Sequence, residues 1–313
     1  MDEFAFIRDH LAKLAGPGSE SLSDDCAWLP TTDGWQVIST DTSVEGVHFP
    51  KGMRGASASE RAVRVALSDI AAKGAELIGI FVNLTLPKNL DDKWAIALTQ
   101  GLSDAKNEFG AHLLGGDTTR HNGPLVITVT ALGMAKTKIL RSGASIGDQI
   151  WVSGPVGDAA LGLKYMQGDV PLPDPTGADL FLWEEAYLRP VPRFDLKTEI
   201  AKLATASVDV SDGLIADAGH IAEASSTRVQ LKANEIPLSE TSKRWVGNDP
   251  KRLIELLTAG DDYQVLICTK PTAAKWLYDS AFTYIGDVRE GSGVELIDRV
   301  GEIIPVLQSG YTH

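Results

Sequence analysis

Three times along this chain an apolar run stops at an aspartate set among hydroxyls and glycine. Val37-Ile38-Ser39-Thr40-Asp41-Thr42-Ser43 is the first, Leu113-Leu114-Gly115-Gly116-Asp117-Thr118-Thr119 the second and Val208-Asp209-Val210-Ser211-Asp212-Gly213 the third. A short apolar run bounded by turn residues reads as a buried strand, and an ionisable side chain at its carboxyl end lies at the rim of a sheet. Alone, Asp41 reads equally well as a solvated loop acid. The repetition changes the reading, because strand ends of one kind, far apart in sequence, point to a single shared acidic site.

The 313 residues exceed a usual single core, so two domains are expected. A formal net charge of −13, with no Lys/Arg run, argues against a nucleic-acid partner. An acidic chain still binds phosphates when divalent cations lie between the two sets of negative charge. Cys26 and Cys268 have neither disulfide nor metal-ligand spacing and read as small hydrophobes in a reducing compartment. The start of the chain carries Asp2, Glu3, Arg8 and Asp9, unlike a signal peptide, and no apolar run approaches the roughly 18 residues of a membrane span. The expectation is a cytoplasmic protein without a membrane partner.

Phe4, Ile7, Leu11 and Leu14 recur at helical spacing up to Gly16-Pro17-Gly18. Asp33-Gly34 between apolar runs predicts a hairpin. Helices are expected over 57–73 and 91–109, and strands over 78–86, 112–114 and 125–134. Asp69 falls one position from Ile70 on the apolar side of its helix, which favours a function over simple exposure. Around 135–148 the texture changes to lysine, arginine and small residues, which sets a boundary between domains 1–137 and 138–313. Gly143-Ala144-Ser145-Ile146-Gly147 matches a hydrolase nucleophile elbow by letter, but the strand follows it instead of preceding it, so that reading fails. Further on, helices are expected near 178–187, 194–204 and 253–258, and strands at 149–153, 206–210, 264–268, 282–288 and 294–298. Ser211-Asp212 is placed to cap a helix running to about Ala224. Alternating strands and helices make the fold α/β or α+β. Trp28, Trp35, Trp94, Trp151 and Trp183 read as core or interface.

No Gly-Lys-Ser/Thr P-loop, H-E-x-x-H or kinase H-R-D set is present. What remains is a set of aspartates at 24, 25, 41, 69, 117, 209 and 212. Such hard oxygen donors suit Mg²⁺, which shares its coordination between carboxylates and substrate phosphates. The chemistry inferred is phosphoryl transfer assisted by bridging metal ions.

These motifs carry a resemblance. Ser23-Asp24-Asp25-Cys26-Ala27, the stretch Ser39 to Phe49, Leu67-Ser68-Asp69-Ile70-Ala71-Ala72-Lys73-Gly74-Ala75, Gly115-Gly116-Asp117-Thr118-Thr119, Asp209-Val210-Ser211-Asp212-Gly213-Leu214 and Gly260-Asp261-Asp262-Tyr263 resemble, in order, the motifs of thiamine-monophosphate kinases. The resemblance implies the two-domain fold shared with aminoimidazole ribonucleotide synthetase and selenophosphate synthetase, whose N-terminal sheet pairs across a homodimer. It implies ATP-dependent phosphorylation of thiamine phosphate with several Mg²⁺ ions. Residues matching Asp25, Ser39, Thr40, Asp41, Asp69, Asp117, Asp209 and Asp212 hold metal in that family, with Asp41, Asp117 and Asp212 read as catalytic. Gly116, Asp117, Arg141 and Ser211 match positions that meet ATP, and His48, Asp261 and Tyr311 match positions that face the substrate. The chain departs from the pattern at Ser23, where Gly is usual, and at Asp261, where Glu is usual. Another ATP-dependent synthetase of the same fold and a non-catalytic nucleotide and metal sensor are the rival readings.

Overall fold

A computed structural model describes residues 3–53, 55–306 and Gly310. Tyr311 lies outside them. The first elements are a helical turn α1 (Glu3–Phe6), the hairpin strands β1 (Ala27–Thr31) and β2 (Gly34–Val44), helix α2 (Gly55–Ala72), β3 (Glu76–Pro87), α3 (Asp92–Glu108), β4 (His112–His121) and β5 (Val126–Ala135). They make a five-stranded sheet in the order β1-β2-β5-β3-β4, antiparallel except between β3 and β4. Strict alternation buries Ile127, Val129 and Ala131 of β5 against α2 and leaves the intervening residues half-exposed on the other face. The hairpin closes at Thr31 and Gly34 as expected.

A second sheet of seven strands follows, in the order β12-β11-β8-β10-β6-β9-β7. Its strands are β6 (Gln149–Val152), β7 (Ala204–Val210), β8 (Arg228–Lys232), β9 (Gln264–Thr269), β10 (Thr283–Arg289), β11 (Gly293–Ile297) and β12 (Ile303–Ile304). Interspersed are helices α4 (Asp158–Met166), α5 (Gly177–Leu188), α6 (Lys197–Leu203), α7 (Leu214–Ala224), α8 (Glu240–Val246), α9 (Pro250–Thr258) and α10 (Ala274–Leu277). Each sheet has its own apolar cluster, and a third cluster packs Ala72 of α2 with Trp151, Ile200 and Val265. Trp28, Trp151 and Trp183 are fully buried.

The join is made largely by α2. Its Arg61 donates to the Tyr187 carbonyl and pairs with Asp261, and Arg64 donates to the Pro190 carbonyl at 3.3 Å. Lys73, just past its end, reaches the Ser207 carbonyl at 3.0 Å. Three buried cations on or just past one helix are costly unless each finds oxygen partners, and all three find them in the second half of the chain.

Four expectations need correction. The helix expected from Phe4 to Leu14 shrinks to α1 followed by one π-helical and one 3-10 turn, because Leu14 stays 81% exposed and the apolar stripe has no surface to cover. The strand expected at 112–114 runs on through Gly115, Gly116 and Asp117 to His121. Gly116 makes this pairing possible: its φ is +151°, and a Cβ there would lie 1.8 Å from the Val82 carbonyl oxygen. Ser211 and Asp212 do not cap α7; Gly213 stands at the cap, and the Asp217 carboxylate accepts the Asp212 N–H at 3.1 Å from inside the helix. Finally, the strand expected to end at Asp41 runs on to Val44, with Asp41 inside it.

Candidate active site

Asp25 in the loop before β1, Asp69 in the last turns of α2 and Asp209 on β7 come together, each offering an oxygen within 4.8 Å of the others. Ser39 of β2 donates a hydrogen bond to Asp69. Like charges in a buried place oppose one another's ionisation. Burial first, then Asp209 and Asp25, push the Asp69 carboxyl well above the usual carboxylate range. Burial and then Asp25 bring Asp209 up to about 7. Asp25 goes the other way: burial opposes its charge, but Arg141 and Lys73 outweigh that and hold it low. Arg141 pairs with one oxygen of Asp25, and Lys73 lies 2.6 Å from the other.

Beside these acids opens a cavity of about 810 Å³. Alternation along β2 turns Ser39, Asp41 and Ser43 toward α2 and the site, and Asp41 and Ser43 line the cavity. Ser211 and Asp212 enter from the β7 end, and Gly260, Asp261 and Tyr263 from the segment between α9 and β9. That segment is backbone under constraint: Asp261 and Tyr263 have φ of +76° and +50°, and a Cβ at Gly260 would lie 2.2 Å from the Ser211 carbonyl oxygen. The neighbouring Asp262 points away, accepting the Gly157 N–H at 2.7 and 2.9 Å and so capping α4. His48 lines the cavity with its Nδ1 accepting the Val44 N–H at 3.1 Å, which leaves the proton on Nε2. Arg61 stacks on Tyr187 at 4.2 Å while it holds Asp261.

The structure therefore gathers Asp25, Asp69 and Asp209 in one cluster and Asp41, His48, Ser211, Asp212 and Asp261 around the adjoining cavity. Gly310, the neighbour in sequence of Tyr311, also lines it, with its α-carbon side against Ala216 and the Asp212 carbonyl. Thr40 faces the other way: its hydroxyl meets that of Thr130 at 3.0 Å on the exposed side of the sheet. Gly116 and Asp117 lie on the edge strand β4. Registers run from Asp41 through Val129 and Val82 to Gly116, three strand spacings, which is about 14 Å within one chain.

Residues passed over in the sequence complete the picture. Asp217 and His220 join the already expected Asp212 in a second group whose ligand atoms lie within 4.8 Å of one another. Burial, and then Arg141, lower His220 to about 4, so it is neutral at physiological pH. The signal for this pair was the Asp-x-x-His spacing on one face of α7. Arg61, Tyr187 and Lys73 had none, since their partners are remote in sequence.

The two sheets and their shared acid-lined cavity place the chain in a defined class: residues 23–135 match the family described as AIR synthase related protein, N-terminal domain. Among curated relatives, the thiamine-monophosphate kinase of Caulobacter vibrioides is 36% identical over 316 residues, covering 95% of this chain and 88% of that protein. A solved structure described as AaThiL complexed with AMPPCP and TMP superposes with a TM-score of 0.88 at 28% identity, covering 100% of this chain and 97% of the other. The thiamine-monophosphate kinase structure from Stenotrophomonas maltophilia K279a gives a TM-score of 0.76 at 35% identity, covering 94% and 96%. The chain belongs to the thiamine-monophosphate kinase family, and it is a kinase.

Proposed function

We propose that this protein transfers the γ-phosphoryl group of ATP in line to the phosphate of thiamine phosphate, giving thiamine diphosphate, with several Mg²⁺ ions held by its acids. The observation that carries this reading is the convergence of Asp25, Asp69 and Asp209 beside a cavity lined by Asp41 and Asp212. Two phosphate-bearing reactants cannot approach such a surface without cations. The donor set fits Mg²⁺: all ligands are hard oxygens, and burial and mutual repulsion hold the Asp69 and Asp209 carboxyls above their ordinary range, a cost that a cation would relieve. Asp25, Ser39, Asp41, Asp69, Asp117, Asp209 and Asp212 make up the proposed metal-holding set; the Thr40 hydroxyl is left out because it turns away. When bound, the metal supplies positive charge to the phosphate oxygens in the transition state.

The rest is done by the chain. Arg141 keeps a buried Nε donor without a hydrogen-bond partner among the described residues, suited to a phosphate oxygen of ATP; Ser211, and Gly116 of a second copy, are the further proposed ATP contacts. The attacking oxygen belongs to a phosphate that is already ionised, so no general base is needed and alignment decides the rate. His48, Asp261 and the segment containing Tyr311 hold the thiamine end. Because Asp117 lies about 14 Å from Asp41 along the registers, the proposed site takes Asp117 from a second copy of the chain, paired through the exposed edge β4 with its Leu113 and Leu114. The proposal includes the domain limits 1–137 and 138–313, matching the two sheets, and a cytoplasmic setting; among the described residues no helix is long and apolar enough to cross a membrane.

The test is a product assay with ATP and Mg²⁺, offering thiamine and thiamine phosphate separately as acceptors. Thiamine diphosphate formed from thiamine phosphate alone is the expected result. Binding of both reactants without product would mean a sensor, and ATP consumption without either product would mean another synthetase.

A further inference from the structure

Along one wall of the cavity a single guanidinium holds several partners together. Arg61, buried on α2, donates through one Nη to the Tyr187 carbonyl and through the other to Asp261 Oδ1. Its plane lies over the Tyr187 ring, 4.2 Å from the centroid, and 5.7 Å from that of Tyr263. The Tyr263 hydroxyl donates to the same Oδ1 at 3.2 Å, and the Tyr187 hydroxyl donates to the His48 carbonyl at 3.3 Å. All five residues line the cavity. Both side-chain donors to Asp261 therefore meet one oxygen, and among the described residues Oδ2 has no partner. That carboxylate is 29% exposed, against 4% for the Arg61 side chain behind it.

We infer that Arg61 is a positioning residue for the phosphoryl acceptor, turning Asp261 so that Oδ2 accepts a hydrogen bond from the ring amine of an aminopyrimidine. This deepens the proposed function and rests on its reading of thiamine phosphate as the acceptor. Chemistry narrows the contact. Thiamine phosphate offers a carboxylate two features, a positive thiazolium ring and an exocyclic amine that carries the only N–H bonds of its ring system. A bare carboxylate would serve the first. Here a guanidinium in direct contact cancels most of the charge, and what Asp261 keeps is a directed lone pair, suited to the second. The orientation is fixed from several sides. Asp261 has a φ of +76°, its N–H is bonded to the Ser211 carbonyl at 2.8 Å, and the rigid fork of Arg61 sets the plane of approach. Through Tyr187 the same clamp reaches the loop carrying His48, so one side chain sets both residues proposed to hold the thiamine end.

The test is steady-state kinetics of the full chain with ATP and Mg²⁺, using thiamine phosphate and its analogue with oxygen in place of the amine. Wild type should favour thiamine phosphate by about tenfold or more in kcat/KM, as loss of a hydrogen bond to a charged group requires. Arg61→Lys keeps the charge and loses the planar fork. In this variant KM for thiamine phosphate should rise about tenfold, KM for ATP should stay within about twofold, and the preference between acceptors should fall to about threefold or less. A preference kept intact, with both acceptors weakened alike, would mean that Arg61 only supports the fold and would overturn the inference. So would a wild type that uses the two acceptors equally well. Should Arg61→Lys be insoluble, Tyr263→Phe, which takes one donor from Oδ1, decides: a preference reduced by about threefold supports the inference and an unchanged one overturns it. Failure of wild type to phosphorylate thiamine phosphate would instead overturn the acceptor reading and, with it, this role of Asp261.

Discussion

Replacing Asp209 by Asn should make the metal-free protein more stable at pH 8 while removing its activity. Moving a carboxyl from its ordinary 3.8 to about 7 in the folded state corresponds to about 4 kcal/mol between its two protonation states. The sign follows from proton counting. Between pH 4 and pH 7 the folded protein keeps the Asp209 proton and the unfolded chain has lost it, so stability is lost as pH rises through this window and stays lost above it. An asparagine of the same shape carries no charge and escapes the loss. The stranded neighbours and the coupling to Asp25 take part of this, so a gain of about 2–4 kcal/mol is expected at pH 8, shrinking steadily toward pH 4. Urea denaturation of wild type and variant in chelator across this pH range measures it directly. Adding Mg²⁺ should reverse the order, because only wild type offers the full set of oxygens. A variant less stable than wild type at pH 8 in chelator, or a difference independent of pH, would refute the electrostatic account of the cluster.

Three further outcomes follow from the geometry. Asp41→Asn and Asp117→Asn should each lower kcat by about two orders of magnitude or more with the melting curve unchanged, and mixing the two inactive proteins after subunit exchange should recover about a quarter of wild-type activity if each site draws Asp117 from the partner; no recovery would show both acids acting within one chain. Thr40→Val should leave kcat within about twofold, whereas Ser39→Ala, which strips the hydroxyl from Asp69, should lower it about tenfold or more, so equal losses would refute the assignment of faces on β2. Arg61→Met should cost about 3–5 kcal/mol in stability by stranding Asp261, and a melting curve like that of wild type would show the pair to be dispensable.

Much of the site was legible because its residues sit where local rules place them. Asp33-Gly34 announced the hairpin, the run ending at Asp209 announced the end of β7, and Asp69 was betrayed by its position on an apolar helix face, whereas β2 and β4 run on past Asp41 and Asp117 to Val44 and His121. The opposite facing of Thr40 was also legible in principle, since side chains alternate along a strand and Asp41 fixes the parity. Other features had no local signature. The continuation of β4 through two glycines depends on the close approach of Val82 in a neighbouring strand. Arg61 and Lys73 look like ordinary helix-surface cations until a second sheet, more than a hundred residues away, closes over them. The cap of α7 was misread because Asp217 supplies it from inside the helix, a direction that the flanking letters Ser211-Asp212 do not suggest.

One helix, α2, links the cavity wall to the acid cluster. Arg61 lies at the cavity wall with Asp261 and Tyr187, and Lys73 among the acids; twelve residues of helix separate them, about 18 Å of axial rise. A packed helix does not stretch, so this span fixes the distance between the cavity wall and the acid cluster. Inserting a single residue between them would advance one end by about 1.5 Å and swing it by about 100°, enough to turn either cation out of register with its partners.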